Sequence, residues 1–207
     1  MFDIIIHATG RFLLTAIFGI PAVEKVPAGQ CIVISNHNTH IDTMLLFRLF
    51  PLRRVSRVKV VAAKDHFSKG FTGFMGMMIF RLILLERHAK DAVGALDPIE
   101  KAVRNGYSVI MFPEGTRGEP GVLQHFKSGI GKIAIDFPDI PVYPVYITGA
   151  EKTMPRGSSL PVPFNIGLKV MPPVYGRDFL QHEDHARKKM TQFLEELFIT
   201  EGENQEN

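Results

Sequence analysis

The stretch CIVISNHNTHIDTMLLF, residues 31–47, changes character partway along. Cys31 to Ser35 is a short, apolar, largely β-branched run, which reads as a buried strand. Asn36 to Asp42 then packs two asparagines, two histidines, a threonine and an aspartate into one short segment before apolar residues return. Thr39 suits a helix cap, with Asp42 as the third helical residue of a capping box, so a helix is expected from about Thr39 to Phe50. Strand, turn, helix start is the grammar of an α/β unit. It also presents side chains at the edge of a sheet.

The same grammar repeats outward. Strand-like runs are VKVVAA (58–63), LILL (82–85), YSVIMF (107–112), VYPVYIT (142–148) and IGLKVM (166–171). Helical segments lie between several of them. In DPIEKAVRNG, Asp97 is the expected N-cap, Pro98 the first helical residue, Glu100 the capping-box partner and Gly106 the residue past the C-terminus. Further helices are expected near Ser128 to Asp136 and from about His182 to Ile199. The expected fold is α/β: a single domain with a central mixed sheet flanked by helices. An apolar, membrane-interface helix is expected over 1–22, the main domain over 23–199, and an acidic, disordered tail over 200–207.

Bulk composition agrees with one globular domain: 207 residues, 45% hydrophobic and 22% charged. Cys31 is the only cysteine, so no intrachain disulfide forms, which fits a reducing compartment. Within CIVIS it reads as a small core residue rather than a nucleophile. Net charge is +3 but uneven. Between Thr43 and Lys64 there are six bases and no acid; from Thr191 onward there are five glutamates and no base. A basic stretch points to an anionic surface. No reader motif or aromatic stacking pattern accompanies it, so nucleic acid is not expected as a partner. The first 21 residues are mostly apolar but carry Asp3, His7 and Arg11. They are too interrupted for a span and lack the layout of a signal peptide.

The polar cluster at 36–42 has three chemical uses. Residues five apart on one helix sit about 140° apart, so His37 and Asp42 meet only if His37 precedes the helix and Asp42 lies in its first turn. The cluster is then a capping box with surface histidines, a metal site built on His37, His40 and Asp42, or a His–Asp base. In the last case a carboxylate on one ring nitrogen fixes the tautomer and supports the imidazolium formed when the other nitrogen takes a proton. A second segment, MFPEGTRG (111–118), follows the run YSVIMF. Pro113 and Gly115 make a turn there, and Glu114 and Arg117 project beside freed backbone amides. An arginine fork suits phosphate, and a Glu–Arg pair pinning the loop is the alternative.

Together the two segments resemble the glycerolipid acyltransferase family, whose enzymes acylate lysophosphatidic acid. That family carries an N-H-x-x-x-x-D block and, some way on, an F-P-E-G-T-R block; here these are Asn36 to Asp42 and Phe112 to Arg117. AAKDHF with Lys64, FKSG (126–129) and YPVYI (143–147) resemble further family blocks in the same order. The block the family writes G-x-I-F-I-D-R is Arg81 to Arg87 here; Arg87 and the apolar character survive, while Arg81 and Leu84 replace Gly and Phe.

The resemblance implies acyl transfer from acyl-CoA or acyl carrier protein to a hydroxyl of a lysophospholipid, 1-acylglycerol-3-phosphate above all. It implies His37 as base and Asp42 as its support, with no metal and no cofactor beyond the donor substrate. Lys64, Arg87, Glu114, Gly115, Thr116 and Arg117 are then the expected contacts to acceptor phosphate and glycerol. GFTGFMGMMIF (70–80) is a candidate acyl-chain lining. A metal-dependent hydrolase using His37, His40 and Asp42 and an inert lipid-binding module are the competing functions. A lysolipid acceptor implies a protein bound peripherally or monotopically to the cytoplasmic face of a membrane.

Overall fold

A computed structural model describes residues 2–18, 23, 25–39, 41–64, 80–86, 94–116, 122–150 and 166–206. Six strands form one sheet: β1 (Ile32–Ser35), β2 (Val58–Ala63), β3 (Ile83–Leu85), β4 (Ser108–Met111), β5 (Val142–Thr148) and β6 (Gly167–Val170). Their order is β3-β2-β4-β1-β5-β6. The first five strands in that order run parallel, and β6 joins β5 antiparallel at the edge. All six fall where apolar, β-branched runs predict them.

Helices cover both faces, so the central strands are buried on both sides, as parallel strands must be. Alternate residues of β1 divide between two cores. Val33 packs with Ile110, Val145 and the α2 residues Leu45, Leu46 and Phe47, where α2 is Asp42–Phe47. Ile32 and Ile34 pack with Val109 and with Ile99 and Val103 of α3 (Asp97–Arg104). Ile130 and Ile133 of α4 (Gly129–Asp136) and Met190, Leu194 and Phe198 of α5 (Ala186–Glu206) complete that second core.

Helix ends show where local reading holds and where tertiary contacts override it. Helix α3 closes as expected: Gly106 has φ +77°, its N–H donates to the Val103 carbonyl, and the Tyr107 N–H donates to the Ala102 carbonyl. That is a Schellman motif. At the other end Asp97 is the first helical residue rather than the cap; Leu96 occupies the cap position without a side-chain bond. Helix α2 starts at Asp42, not Thr39, because Thr39 spends its hydroxyl on the Asp42 carboxylate instead of on a helix amide.

The last helix begins at Ala186, after a 3₁₀ stretch (Gly176–His185) broken at Glu183, where φ is +46°. It continues through the expected disordered tail to Glu206. Buried Glu201 anchors that extension by accepting bonds from Lys169 Nζ at 2.6 Å and Gln205 Nε2 at 2.7 Å.

Helix α1 (Phe2–Phe18) lies against α2 and the 3₁₀ turn Leu52–Arg57. Two arginines staple it there. The Arg11 guanidinium donates to the carbonyls of Phe47 and Phe50 at the C-terminal end of α2, and Arg48 donates to the Arg11 carbonyl and the Thr15 hydroxyl. Burial, then repulsion from Arg48, lowers the pKa of Arg11. Buried His7 stacks on Phe47 at 4.5 Å. The outer side of α1 exposes Ile4, Ile5, Phe12 and Leu13, Phe12 at 71%. Among the described residues no helix is long and apolar enough to cross a membrane.

Candidate active site

Strands β1 and β4 are parallel neighbours whose connections leave the sheet on opposite faces, β1 toward α2 and β4 toward α4. Such a divergence opens a crevice at the carboxyl ends of the strands, the usual ligand position in open α/β sheets. The register pairs Ile34 with Met111. His37 and Glu114, each three residues further on, therefore emerge side by side.

His37 Nδ1 lies 3.0 Å from Asp42 Oδ2. Asp42 is fully buried, while 20% of the His37 side chain reaches the surface. Asp42 accepts from the amides of Asn38 and Thr39, each at 2.7 Å, and from the Thr39 hydroxyl at 2.6 Å. An ionised carboxylate only accepts, so Nδ1 carries the shared proton and Nε2 is left with a lone pair. Four donors converge on Asp42, three of them on Oδ2 and one on Oδ1. Behind the imidazole the Phe112 ring stacks at 3.9 Å and 21°. The His37 imidazole is thus held in tilt and position.

Glu114 is buried, and both its oxygens accept backbone amides: His37 N at 2.8 Å and Gln124 N at 3.0 Å. Burial raises its pKa against the lowering effect of those bonds. Gly115 takes φ +74° in the turn closed by its N–H to the Phe112 carbonyl. A side chain at this position would also meet Lys127, whose Cε and Nζ come to 2.8 Å from the place of a Cβ. Thr116 Oγ1 donates to Gln124 Oε1 at 3.1 Å. His37, Asp42, Glu114, Gly115 and Thr116 therefore lie together in the structure.

A family model described as Acyltransferase matches residues 20–148, well over half of the chain. The chain belongs to the acyltransferase family. The curated relatives it matches include proteins named 1-acyl-sn-glycerol-3-phosphate acyltransferase. It is 28% identical to the chloroplastic 1-acyl-sn-glycerol-3-phosphate acyltransferase of Brassica napus over 84% of this chain and 50% of that protein. It is 30% identical to the enzyme of that name from Limnanthes alba, over 84% of this chain and 61% of that protein. The chain thus spans about half to three-fifths of the length of these relatives. In fold it resembles the crystal structure of the 1-acyl-sn-glycerophosphate acyltransferase of Thermotoga maritima, with a TM-score of 0.75 over 97% of this chain and 78% of that one, at 23% identity.

Other acyltransferase blocks of the sequence sit on the same edge of the sheet. Lys64 follows β2 and pairs with Glu86, which follows β3, at 2.7 Å; both side chains are exposed. Arg87, Arg117, His40 and residues 70–79 of the candidate acyl lining lie outside the described residues. The basic stretch does not form one surface. Arg48 turns toward α1, while Arg57 and Lys59 sit over the Tyr107 ring at the opposite, amino end of the strands. Arg53 remains exposed and Arg54 half-buried.

Three contributors carry no role in the sequence reading. Asn36 continues the β1–β5 ladder with its side chain: Nδ2 donates to the Ile147 carbonyl at 2.9 Å and Oδ1 accepts from the Ile147 amide at 2.8 Å. Phe112 backs the imidazole, and Lys127 crosses Gly115. All three stand inside the quoted blocks, which is the only sequence signal for them.

Proposed function

We propose that the chain transfers an acyl group from a thioester donor, acyl-CoA or acyl carrier protein, to a hydroxyl of a lysophospholipid, with 1-acylglycerol-3-phosphate as the acceptor, in phospholipid biosynthesis. The His37–Asp42 contact carries the reading: a buried carboxylate holds one ring nitrogen while the ring edge stays accessible. His37 Nε2 takes the hydroxyl proton, and the alkoxide attacks the thioester carbonyl. The adduct collapses with loss of thiolate, which recovers the proton from the imidazolium. General-base action of this kind is worth about 10²- to 10⁴-fold in rate. Asp42 needs no protonation change for this. Buried, with three donors on Oδ2 and one on Oδ1, its carboxylate serves as the support of the imidazole and its loop. Lys64, Gly115, Thr116 and, from the sequence blocks, Arg87 and Arg117 are proposed to hold the acceptor phosphate and glycerol.

The test is release of free thiol from acyl-CoA, with and without lysophosphatidic acid. Thiol released only when the acceptor is present supports transfer. Release without acceptor supports hydrolysis, and no release with either donor type supports a binding module.

The acceptor partitions into bilayers, so we place the protein peripherally or monotopically on a cytoplasmic membrane face. The exposed apolar side of α1 supports this, with Arg53 and Arg54 on the adjoining 3₁₀ turn as the basic contribution. Each base near an anionic surface adds about 1 kcal/mol before screening. Flotation with anionic vesicles tests the placement. Binding should weaken in high salt and weaken further without residues 1–20, and a full-length chain that ignores the vesicles overturns it.

A further inference from the structure

Glu114 stands in the FPEGTR block as an expected acceptor contact, yet it is 3% exposed and both of its oxygens are occupied by backbone amides. We infer that Glu114 is instead a positioning residue, which fixes the His37 backbone to the β4 loop and so sets where the base stands. The inference rests on the acyl-transfer reading.

Among the described residues no other hydrogen bond joins the His37 loop to the β4 loop; the Phe112 ring adds only a stacking contact. The loops after β1 and β4 turn to opposite faces of the sheet, so past the Ile34–Met111 pair the backbone ladder between them ends. A glutamate three residues beyond Met111 has the reach to bond the amide three residues beyond Ile34, and its second oxygen collects the Gln124 amide. The returning chain is held to the same turn by Lys127 N–H donating to the Pro113 carbonyl. On the other side Asp42 takes the next two amides, Asn38 and Thr39. Three consecutive amides, 37 to 39, are thus fixed by two buried carboxylates from different connections. Asp42 sets the tilt of the ring, and Glu114 sets the position of the residue that bears it. A short apolar side chain at 114 would leave two buried donors unpaired, and an amide would turn an NH₂ toward one of them.

The full-length protein with Glu114→Gln and Glu114→Asp, assayed for acceptor-dependent thiol release, tests this. Gln keeps the shape and one acceptor; Asp keeps the charge and loses the reach. Both should lower kcat by about 10²-fold, the scale of a misplaced catalytic group, with acceptor and donor KM little changed. A raised acceptor KM with kcat retained would make Glu114 an acceptor contact and overturn the inference. Full activity in the Asp variant would also overturn it, because charge alone would then suffice.

Should neither variant fold, hydrogen exchange on the wild type decides. The His37 and Gln124 amides should exchange slowly, and exchange as fast as in open loops overturns the clamp. His37→Ala in the same assay separates the two levels. If it stays active, the base reading itself fails; if it is dead while Glu114→Gln is normal, only the inference fails.

Discussion

Two acid–base contacts stand at the carboxyl end of the same sheet, and the shorter one is the weaker. Lys64 and Glu86 approach to 2.7 Å, His37 and Asp42 to 3.0 Å. Water surrounds the first pair: both partners are more than half exposed, and among the described residues no other contact fixes either side chain. The hydrogen bond from Lys64, then its charge, lowers the pKa of Glu86, but solvent screens that attraction and both side chains lose rotamer entropy to hold it. Asp42 is buried from solvent and takes four donors instead. Distance does not rank these contacts; burial and the number of supporting bonds do. A solvated pair can open to meet a ligand, whereas a buried one stays aligned through turnover.

The comparison breaks first at His37. His37→Ala should cost about 10²- to 10⁴-fold in kcat with an unchanged melting temperature. Retention of more than about a tenth of kcat would put the buried pair on the same footing as the exposed one. Asp42→Asn should lose kcat and stability together. It turns an NH₂ toward buried donors, at about 1–3 kcal/mol each, read by denaturant unfolding.

Gly115→Ala should cost about 1–2 kcal/mol for the left-handed backbone, and it must also displace the flexible end of Lys127. Its thermal shift should fall between those of Asp42→Asn and a surface change. Glu114 sharpens the comparison through pH. Because its folded pKa is raised, the folded protein binds its proton more readily than the unfolded chain does. Relative to Glu114→Gln, the wild type should therefore lose stability as pH rises from the ordinary glutamate value through the folded one. A gap that widens in favour of the wild type over that range would mean that the amide bonds outweigh burial. Glu86→Gln should leave the melting temperature where it is.

How much of this was readable from sequence depends on how far apart the partners lie. His37 and Asp42 are five residues apart, so strand, turn and helix start suffice to bring them together. The central strands were legible because parallel strands buried on both faces read as short, continuous apolar runs. Gly106 was legible because a helix end in the left-handed region selects glycine. By contrast, the bond from the His37 amide to Glu114 spans 77 residues and follows from the register of β1 against β4. The sequence blocks therefore name Glu114 without its bond to the His37 amide.

The same limit explains the C-terminus. An acidic run looks solvated until Lys169 and Gln205 are seen to hold Glu201, and until Gly202 is found beneath the Tyr146 hydroxyl, 2.9 Å from where a Cβ would lie. Arg11 looked like an interruption in an apolar helix. It is the staple that orients α1 on α2, because the carbonyls at the C-terminal end of α2 need donors.

The pinning of the His37 loop decides a second half of the chemistry. A thioester under attack places negative charge on its carbonyl oxygen, and nearby backbone N–H groups are the usual way to stabilise that oxyanion. The amides closest to the base, those of His37, Asn38 and Thr39, all point at carboxylates. On the proposed acyl transfer those three amides are spent on alignment and do not serve the oxyanion. Under that proposal, deprotonation of the nucleophile and stabilisation of the electrophile fall to different groups, and the donors to the carbonyl oxygen are to be sought outside residues 37–39.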